Sequence, residues 1–312
     1  MLISIVVLTY NRCQELKRCL DSLFGQSYKD KETIVIDNGS SDETASSLKN
    51  YDLRVIKDGI KNKAYLRNLG LREARGEVVA YIDDDAVADP SWLYNIASTF
   101  VESNTIGAVG GPALTVGKQE ILSLHELSKS SRIVKLALSL FNKIVMGGKL
   151  WDIGVLGRGG AYSVGGSLPV STTLPNPIPV DILATCNAAV RKKAAEEING
   201  FDENFIFNQE DGDLFLRVRN AGYQIIFNPQ AMVTHYVSPR KSTRASDFLL
   251  GHDYGFFLLK HFHLRSFRRI DSFLANIIFL NSYLLYKTFK ERSSEPLKEI
   301  AGFFSGMIQY LF

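Results

Sequence analysis

Cysteine is scarce: the 312 residues hold three, Cys13, Cys19 and Cys186, with no CxxC spacing. That excludes a disulfide-stapled secreted scaffold and fits ordinary buried thiols in a reducing compartment. An excess of one charge is lacking too. With 36 basic against 33 acidic residues the net charge is +3, so there is no chain-wide field to grip nucleic acid. Long apolar runs are missing as well. The longest charge-free apolar run, Ser272 to Tyr286, is 15 residues and includes Asn276 and Asn281, short of the roughly 20 needed to span a bilayer. It reads as a buried helix or one lying in a membrane surface. The start, Met1 to Leu8, has no basic n-region and no small-residue cleavage site, so a buried strand is expected there rather than a signal peptide. No GxGxxG follows the first apolar run, and GxxxxGK[ST], GxSxG and HExxH are absent, His125-Glu126 lacking the second histidine. Dinucleotide dehydrogenase, P-loop NTPase, elbow-type hydrolase and zincin are thereby demoted.

What is present is a rhythm. A 46% hydrophobic composition supplies ample core. To about residue 110, β-branched runs (Ile3 to Leu8, Thr33 to Ile36, Arg54 to Ile56, Val78 to Ile82, Ile106 to Val109) alternate with helical stretches. The stripe Leu16, Cys19, Leu20, Leu23 and Phe24, a capping box at Ser40 and Glu43, and the cap-and-proline pair Asp89-Pro90 mark those helices. The alternation predicts a doubly wound α/β sheet, whose ligands sit beyond the carboxyl ends of the strands. Residues 115 to 180 break the rhythm with an apolar helix from about Ile121 to Val145 and a glycine-rich segment, expected to be a mobile lid, a binding loop or disordered. A helix is expected from about Glu210 to Ala221, ended by Gly222, with strands at Ile225 to Phe227 and Met232 to Thr234.

The polar residues at the strand ends carry the chemistry. Thr9-Tyr10-Asn11-Arg12 and Asp37-Asn38-Gly39-Ser40-Ser41-Asp42 follow the first two runs. They suit donor and acceptor matching to a nucleobase and ribose, and equally turn chemistry and capping. Asp83-Asp84-Asp85 follows the fourth run. Three adjacent carboxylates repel unless something positive sits among them, and a hard divalent cation shared with substrate phosphates, Mg²⁺ or Mn²⁺, is the usual answer. Arg67, on the preceding helix, suits reach to the phosphates and equally an ordinary surface position. Glu210-Asp211-Gly212-Asp213 opens a helix, where acids are favoured on dipole grounds and where an ionised carboxylate can also accept a proton from an attacking hydroxyl. His235, after the last strand, is either structural or a further ligand to a cation on Asp85.

These residues, in this order, resemble the family 2 glycosyltransferases with the GT-A fold. Thr9 to Arg12, the Asp37 to Asp42 turn, Arg67-Asn68-Leu69-Gly70 leading to Gly76-Glu77, and Asp83 to Asp85 are similar to that family's donor half; Cys186 to Arg191, Gly200 to Glu203 and Glu210 to Asp213 to its acceptor half. The match covers about residues 1 to 239. The resemblance implies a GT-A type doubly wound, mixed, mostly parallel sheet with a C-terminal helical extension. It implies a nucleotide-diphospho-sugar donor, with Thr9, Asn11, Asn38 and Asp42 near base and ribose, Arg67 nearby, and Tyr10, Arg12 and Asp37 also among the donor-binding residues. Asp83 and Asp84 would meet the nucleotide sugar, Asp85 and His235 the metal, and Asp211 would be the general base of an inverting transfer to a glycan or lipid-linked acceptor at the cytoplasmic face. Asp213 is expected to support the helix start. Asn38 departs from the family's common Asp-Asp-Gly-Ser turn and is similar in this to rhamnosyl and related transferases.

Two other classes compete. A silent nucleotide-sugar-binding scaffold would need none of Asp85, Asp211 and His235, and a sugar nucleotidyltransferase needs a glycine-rich basic loop that Leu8 to Arg12 lacks. The expected division is a catalytic domain 1–239, with a donor half to about 110, and a helical tail 240–312. That tail carries 11 basic and 6 acidic residues. With Arg265, Arg268 and Arg269 before its apolar run and a stripe from Ile300 to Leu311, it predicts contact with an anionic membrane surface.

Overall fold

The computed structural model describes residues 1–116, 132–236, 247–262 and 270–312. The expectations for His125-Glu126, for the first part of the helix from Ile121, and for Arg265, Arg268 and Arg269 lie outside these residues. Contacts group the described residues of 1–117, 164–204 and 210–240 into one unit, and those of 118–163, 205–209 and 241–312 into a second. The chain therefore does not divide at a single point near residue 239. Tail residues Ala275 and Phe279 pack on a core formed by Val145, Met146, Leu150 and Ala161 from the middle of the chain.

The first unit is built on the alternating runs. Strands β1 (Ile3–Thr9), β2 (Lys31–Asp37), β3 (Arg54–Lys57) and β4 (Val78–Asp83) are joined through helices α1 (Cys13–Phe24), α2 (Thr44–Ser47) and α3 (Lys63–Glu73). After β5 (Ala86–Ala88) come α4 (Trp92–Glu102), β6 (Ile106–Gly110) and β7 (Ala113–Val116). The main sheet also takes β10 (Ile178–Pro179), β11 (Asn187–Arg191) and β12 (Gln224–Phe227), in the order β10-β12-β6-β11-β4-β1-β2-β3. β1 runs parallel to β2 and β4, β2 to β3, and β12 to β6, while β11 is reversed between β4 and β6. Fully buried Ile3, Ile5, Val7 and Val35 explain why these runs are strands: both faces are covered, so no polar alternation is needed. Leu16, Leu20 and Leu23 of α1 and Trp92, Leu93 and Ile96 of α4 close over the same core.

Register sets the working edge. Thr9 pairs with Asp37 and Leu8 with Asp83, so three strand ends finish level. Because β11 is antiparallel and Asn187 pairs with Ile82, that strand begins at the same edge. A second sheet, β5-β13-β7, includes β13 (Val233–Tyr236), with His235 opposite Ala86. Short helix α6 (Lys192–Glu197) and then α7 (Glu210–Asn220) complete the unit, and Gly222 at φ +96° stops α7 as expected. The capping box at Ser40 and Glu43 does not form. Ser40 Oγ instead accepts the Asn11 N–H at 2.9 Å, and α2 starts after Glu43 without a side-chain cap.

The second unit contains α5 (Arg132–Ile144), the hairpin β8 (Val155–Leu156) with β9 (Tyr162–Ser163), α8 (Asp247–Phe262), α9 (Ile270–Glu291) and α10 (Glu295–Leu311). The glycine-rich stretch is thus partly ordered as a hairpin. Helices α8 and α10 approach through reciprocal glycines four residues apart. A Cβ on Gly251 would lie 1.9 Å from the Glu299 carbonyl oxygen and one on Gly302 1.9 Å from that of Phe248, with Gly255 and Gly306 repeating the pattern a turn later. Side chains of any size are excluded there, and the gain is close backbone packing around Phe303, Leu258 and Leu259.

Candidate active site

The level strand ends gather the acidic triplet, and a cation from this chain already sits in it. Arg12 Nη1 lies 2.9 Å from Asp84 Oδ1 and 2.7 Å from Asp85 Oδ2. Expected among the donor-binding residues, Arg12 offsets two of the three adjacent negative charges, a role its distance of some seventy residues in sequence conceals. The pairing opposes but does not cancel desolvation at Asp84, whose carboxyl is pushed up to about 7 by burial, with Asp85 and Asp83 adding. Asp85 goes the other way. Burial favours its neutral form, but His235 and Arg12 hold it below the usual carboxylate range.

The register of β13 on β5 brings His235 Nε2 to 2.7 Å from Asp85 Oδ1 and 3.8 Å from Asp83 Oδ2. Burial would lower the imidazole, yet the Asp85 hydrogen bond and the charges of Asp83 and Asp85 raise it above its ordinary value. One ligand atom from each of Asp83, Asp85 and His235 lies within 4.8 Å of the others. Two carboxylates and an imidazole suit Mn²⁺ or Mg²⁺, the nitrogen favouring the former. Asp83, the more exposed of the carboxylates at 40%, faces the open side.

The turn after β2 is tied to the turn after β1. Asn11, at φ +52°, accepts the N–H groups of Ser41 at 2.7 Å and Asp42 at 3.3 Å on its Oδ1. Asp37 Oδ1 accepts the Ser40 N–H. Asp42 accepts from Thr44 N at 2.9 Å and Cys13 N at 3.4 Å, and these bonds overcome burial to hold it below the usual range. Asn11, Asp37 and Asp42 thus shape the turns from within. Thr9 is buried at the strand end and Tyr10 is exposed. Asn38 Oδ1 is buried without a hydrogen-bond partner among the described residues, an acceptor at the site's edge.

At the start of α7, Asp211 is the second residue; its Oδ1 accepts the Gly212 N–H at 2.8 Å and its Oδ2 that of Thr185 at 3.4 Å. Asp213 is fully buried and pairs with Arg217 Nη2 at 2.6 Å, supporting the helix as expected. Arg67 does not extend toward solvent. It is buried against Glu210 Oε1, with its guanidinium 5.8 Å from the Phe201 ring centre. Burial raises Glu210, Arg67 opposing and Asp211 adding. The Cys186 thiol is pushed up by burial, with Asp83, Asp211 and Asp85 adding and Arg67 opposing. The Arg67–Glu210 pair escaped sequence reasoning, since each residue alone reads as surface or capping.

Comparisons with known proteins bear on the family and the fold. Residues 4–153 match the model of glycosyl transferase family 2. The chain is 31% identical over 137 residues to a poly-beta-1,6-N-acetyl-D-glucosamine synthase of Staphylococcus epidermidis, covering 42% of this chain and 33% of that protein. It is 27% identical over 240 residues to the O-antigen chain rhamnosyltransferase RfbN of Salmonella typhimurium, covering 75% and 66%. A Pyrobaculum calidifontis mannosyltransferase, solved with GDP-Man and Mn²⁺, superposes with a TM-score of 0.57 at 17% identity over 99% of this chain and 87% of that one. The fold is therefore GT-A. The chain spans a third to a half of the length of several curated relatives it matches.

Proposed function

Residues 4–153 belong to glycosyl transferase family 2, and from that premise we propose that the chain is an inverting, metal-dependent glycosyltransferase that moves a sugar from a nucleotide-diphospho-sugar to a hydroxyl of a glycan or lipid-linked acceptor. The observation that carries this reading is the convergence of Asp83, Asp85 and His235 ligand atoms within 4.8 Å at the carboxyl end of β4. Those three would hold Mn²⁺ or Mg²⁺, which when bound neutralises the leaving diphosphate. Arg12 keeps Asp84 and Asp85 from repelling each other before any substrate arrives. Thr9, Tyr10 and the buried Asn38 Oδ1 line the edge where base and ribose are read.

Asp211 is the general base. Its Oδ1 and Oδ2 are oriented by the Gly212 and Thr185 amides, and it takes the proton of the acceptor hydroxyl as oxygen attacks the anomeric carbon opposite the leaving group. Arg67, buried with Glu210, holds the first residue of that helix and balances the charge of the neighbouring acids. Calorimetric titration of UDP, GDP and dTDP tests the donor side: binding of one of them should need Mn²⁺ or Mg²⁺ and be lost in Asp85→Ala. Equal affinity with and without metal in both proteins contradicts it.

The second unit adds a location. Exposed Leu274, Ile278, Leu285 and Phe289 form one stripe of α9, Leu297, Phe304, Ile308 and Leu311 one of α10, and Leu136, Leu140 and Ile144 one of α5. Lys287 and Lys290 stand on the last turns of α9. No described helix is long and apolar enough to cross a membrane. This pattern supports peripheral binding to an anionic leaflet, the cytoplasmic one, near a lipid-linked acceptor. The chain should float with anionic vesicles in a salt-sensitive way, and Ile278→Asp with Ile308→Asp should abolish flotation; recovery of the unaltered chain in the soluble fraction overturns the membrane reading.

A further inference from the structure

The turn that ends α5 leaves a cationic cavity open. Gly147 at φ +66° and Gly148 at φ +89° reverse the chain there, a conformation that glycine takes without steric cost. Carbonyls that a helix end would leave unpaired are taken by the chain's own donors. That of Phe141 accepts the Val145 N–H at 2.8 Å, that of Asn142 the Gly148 N–H at 2.8 Å, and that of Val145 the Gly159 N–H at 3.0 Å. Asn142 Oδ1 is used as well, accepting the Leu150 N–H at 2.9 Å. The negative end of the helix is thus covered from within.

The bond from Gly159 to Val145 also docks the loop between β8 and β9 on this turn. Arg158 of that loop lies beside Gly147, where an added Cβ would come 3.2 Å from the Arg158 Nε. Ser139, Asn142, Lys143, Gly147, Gly148 and Arg158 line a cavity of about 320 Å³, within the roughly 300–1,000 Å³ of small-ligand sites. No carboxylate is among them, and neither Lys143 nor Arg158 has an ion-pair partner among the described residues. The cavity offers donors instead: an ammonium, a guanidinium, a hydroxyl and the Nδ2 of Asn142. Two cations sharing one cavity repel, and a dianion with several acceptor oxygens offsets both.

The surroundings say where such a dianion comes from. Lys135, Ser139 and Lys143 recur every four residues and share one row of α5, while exposed Leu136, Leu140 and Ile144 form the row beside it. Exposed Trp151 follows the same turn. A cationic row beside an apolar one suits a helix lying in a lipid surface, with its cations at headgroup depth. We propose that this cavity is a docking site for the phosphomonoester headgroup of a membrane lipid, Lys143 and Arg158 holding the phosphate oxygens and Ser139 and Asn142 donating to them. The inference rests on the membrane reading above and deepens it: the surface is chosen by an exposed phosphate as well as by net charge.

The test uses the full chain, Lys143→Gln combined with Arg158→Gln, and Lys143→Arg as the charge-preserving control; both side chains are exposed, so these variants should fold. Binding is read by flotation with phosphatidylcholine vesicles that carry either phosphatidic acid or phosphatidylserine, matched in surface potential. The unaltered chain and Lys143→Arg should bind the phosphatidic acid vesicles about fivefold or more tightly than the phosphatidylserine ones, and the double variant should bind the two alike. No preference in the unaltered chain, or a preference kept in the double variant, overturns the site and leaves the membrane reading standing. Failure of the unaltered chain to bind either vesicle sinks the membrane reading, and the site with it. Calorimetric titration with inorganic phosphate and with glycerol phosphate separates the soluble source. Binding of either that is lost in the double variant, together with no preference between vesicles, would assign the cavity to a soluble phosphate and overturn the lipid assignment.

Discussion

The two units solve the burial of apolar surface differently. In the first, a sheet covered on both faces absorbs its β-branched runs, and the large apolar side chains left exposed, such as Val55, Tyr94 and Val101, are scattered. In the second, helices meet through glycine backbones, and three of them keep apolar stripes exposed along their length. A sheet recruits helices to both faces, whereas a small helical group has no second layer to give. The first unit is thus a self-sufficient place to fix chemistry, and the second has surface to offer to something else.

The sharpest way to break this contrast is at the base. Asp211→Asn should lower transfer by about 10²–10⁴-fold while nucleotide binding stays within a few fold; single-turnover assays beside nucleotide titration check both. Activity above about a tenth of the unaltered level would remove Asp211 from the mechanism. Next comes the metal group. His235→Ala and Asp85→Ala should each weaken Mn²⁺ binding by more than about tenfold, read by electron paramagnetic resonance without any turnover.

A glycine pair compares the units directly. A Cβ at Gly255 would lie 2.0 Å from the Phe303 carbonyl oxygen, whereas one at Gly59 meets nothing within 4 Å. Gly255→Val should cost about 1–3 kcal/mol or more, and Gly59→Ala less than about 0.5 kcal/mol, in denaturant melts. The smallest effect concerns Glu299, whose carboxyl is raised to about 7 by burial, with Lys287 opposing and Asp247 adding. A folded-state value above the unfolded one means its contribution is full below about pH 4.3 and is lost as pH rises through 7. Glu299→Gln should therefore remove a decline in Tm of a few degrees between pH 5 and pH 8. An identical pH profile in both proteins would discount it.

Much of the first unit was legible because local pattern and tertiary role coincide there. Ile3 to Leu8 and Val78 to Ile82 read as buried strands and are. Strand ends in such folds carry the ligands, which drew attention to Asp83, Asp85 and His235 and, by resemblance, to Asp211. What escaped depends on long-range pairing. Arg12 on Asp84 and Asp85, Arg67 on Glu210, and Asp253 on residues 206–208 join positions far apart in sequence, and no spacing signals them. The turn after β2 differs at Ser40, whose hydroxyl accepts the backbone N–H of Asn11 from the turn after β1. The glycines of α8 and α10 did leave a trace, an i, i+4 repeat in each helix, but only the facing helix gives it meaning.

One measurement bears on the central claim most directly: release of nucleoside diphosphate from a panel of nucleotide sugars by the full chain, with Mn²⁺ or Mg²⁺, after chelation, and in Asp85→Ala. The account predicts that at least one donor is consumed, that chelation stops the reaction and added metal restores it, and that Asp85→Ala stays inactive throughout. Donor turnover at the same rate in chelator, or in Asp85→Ala, would contradict it.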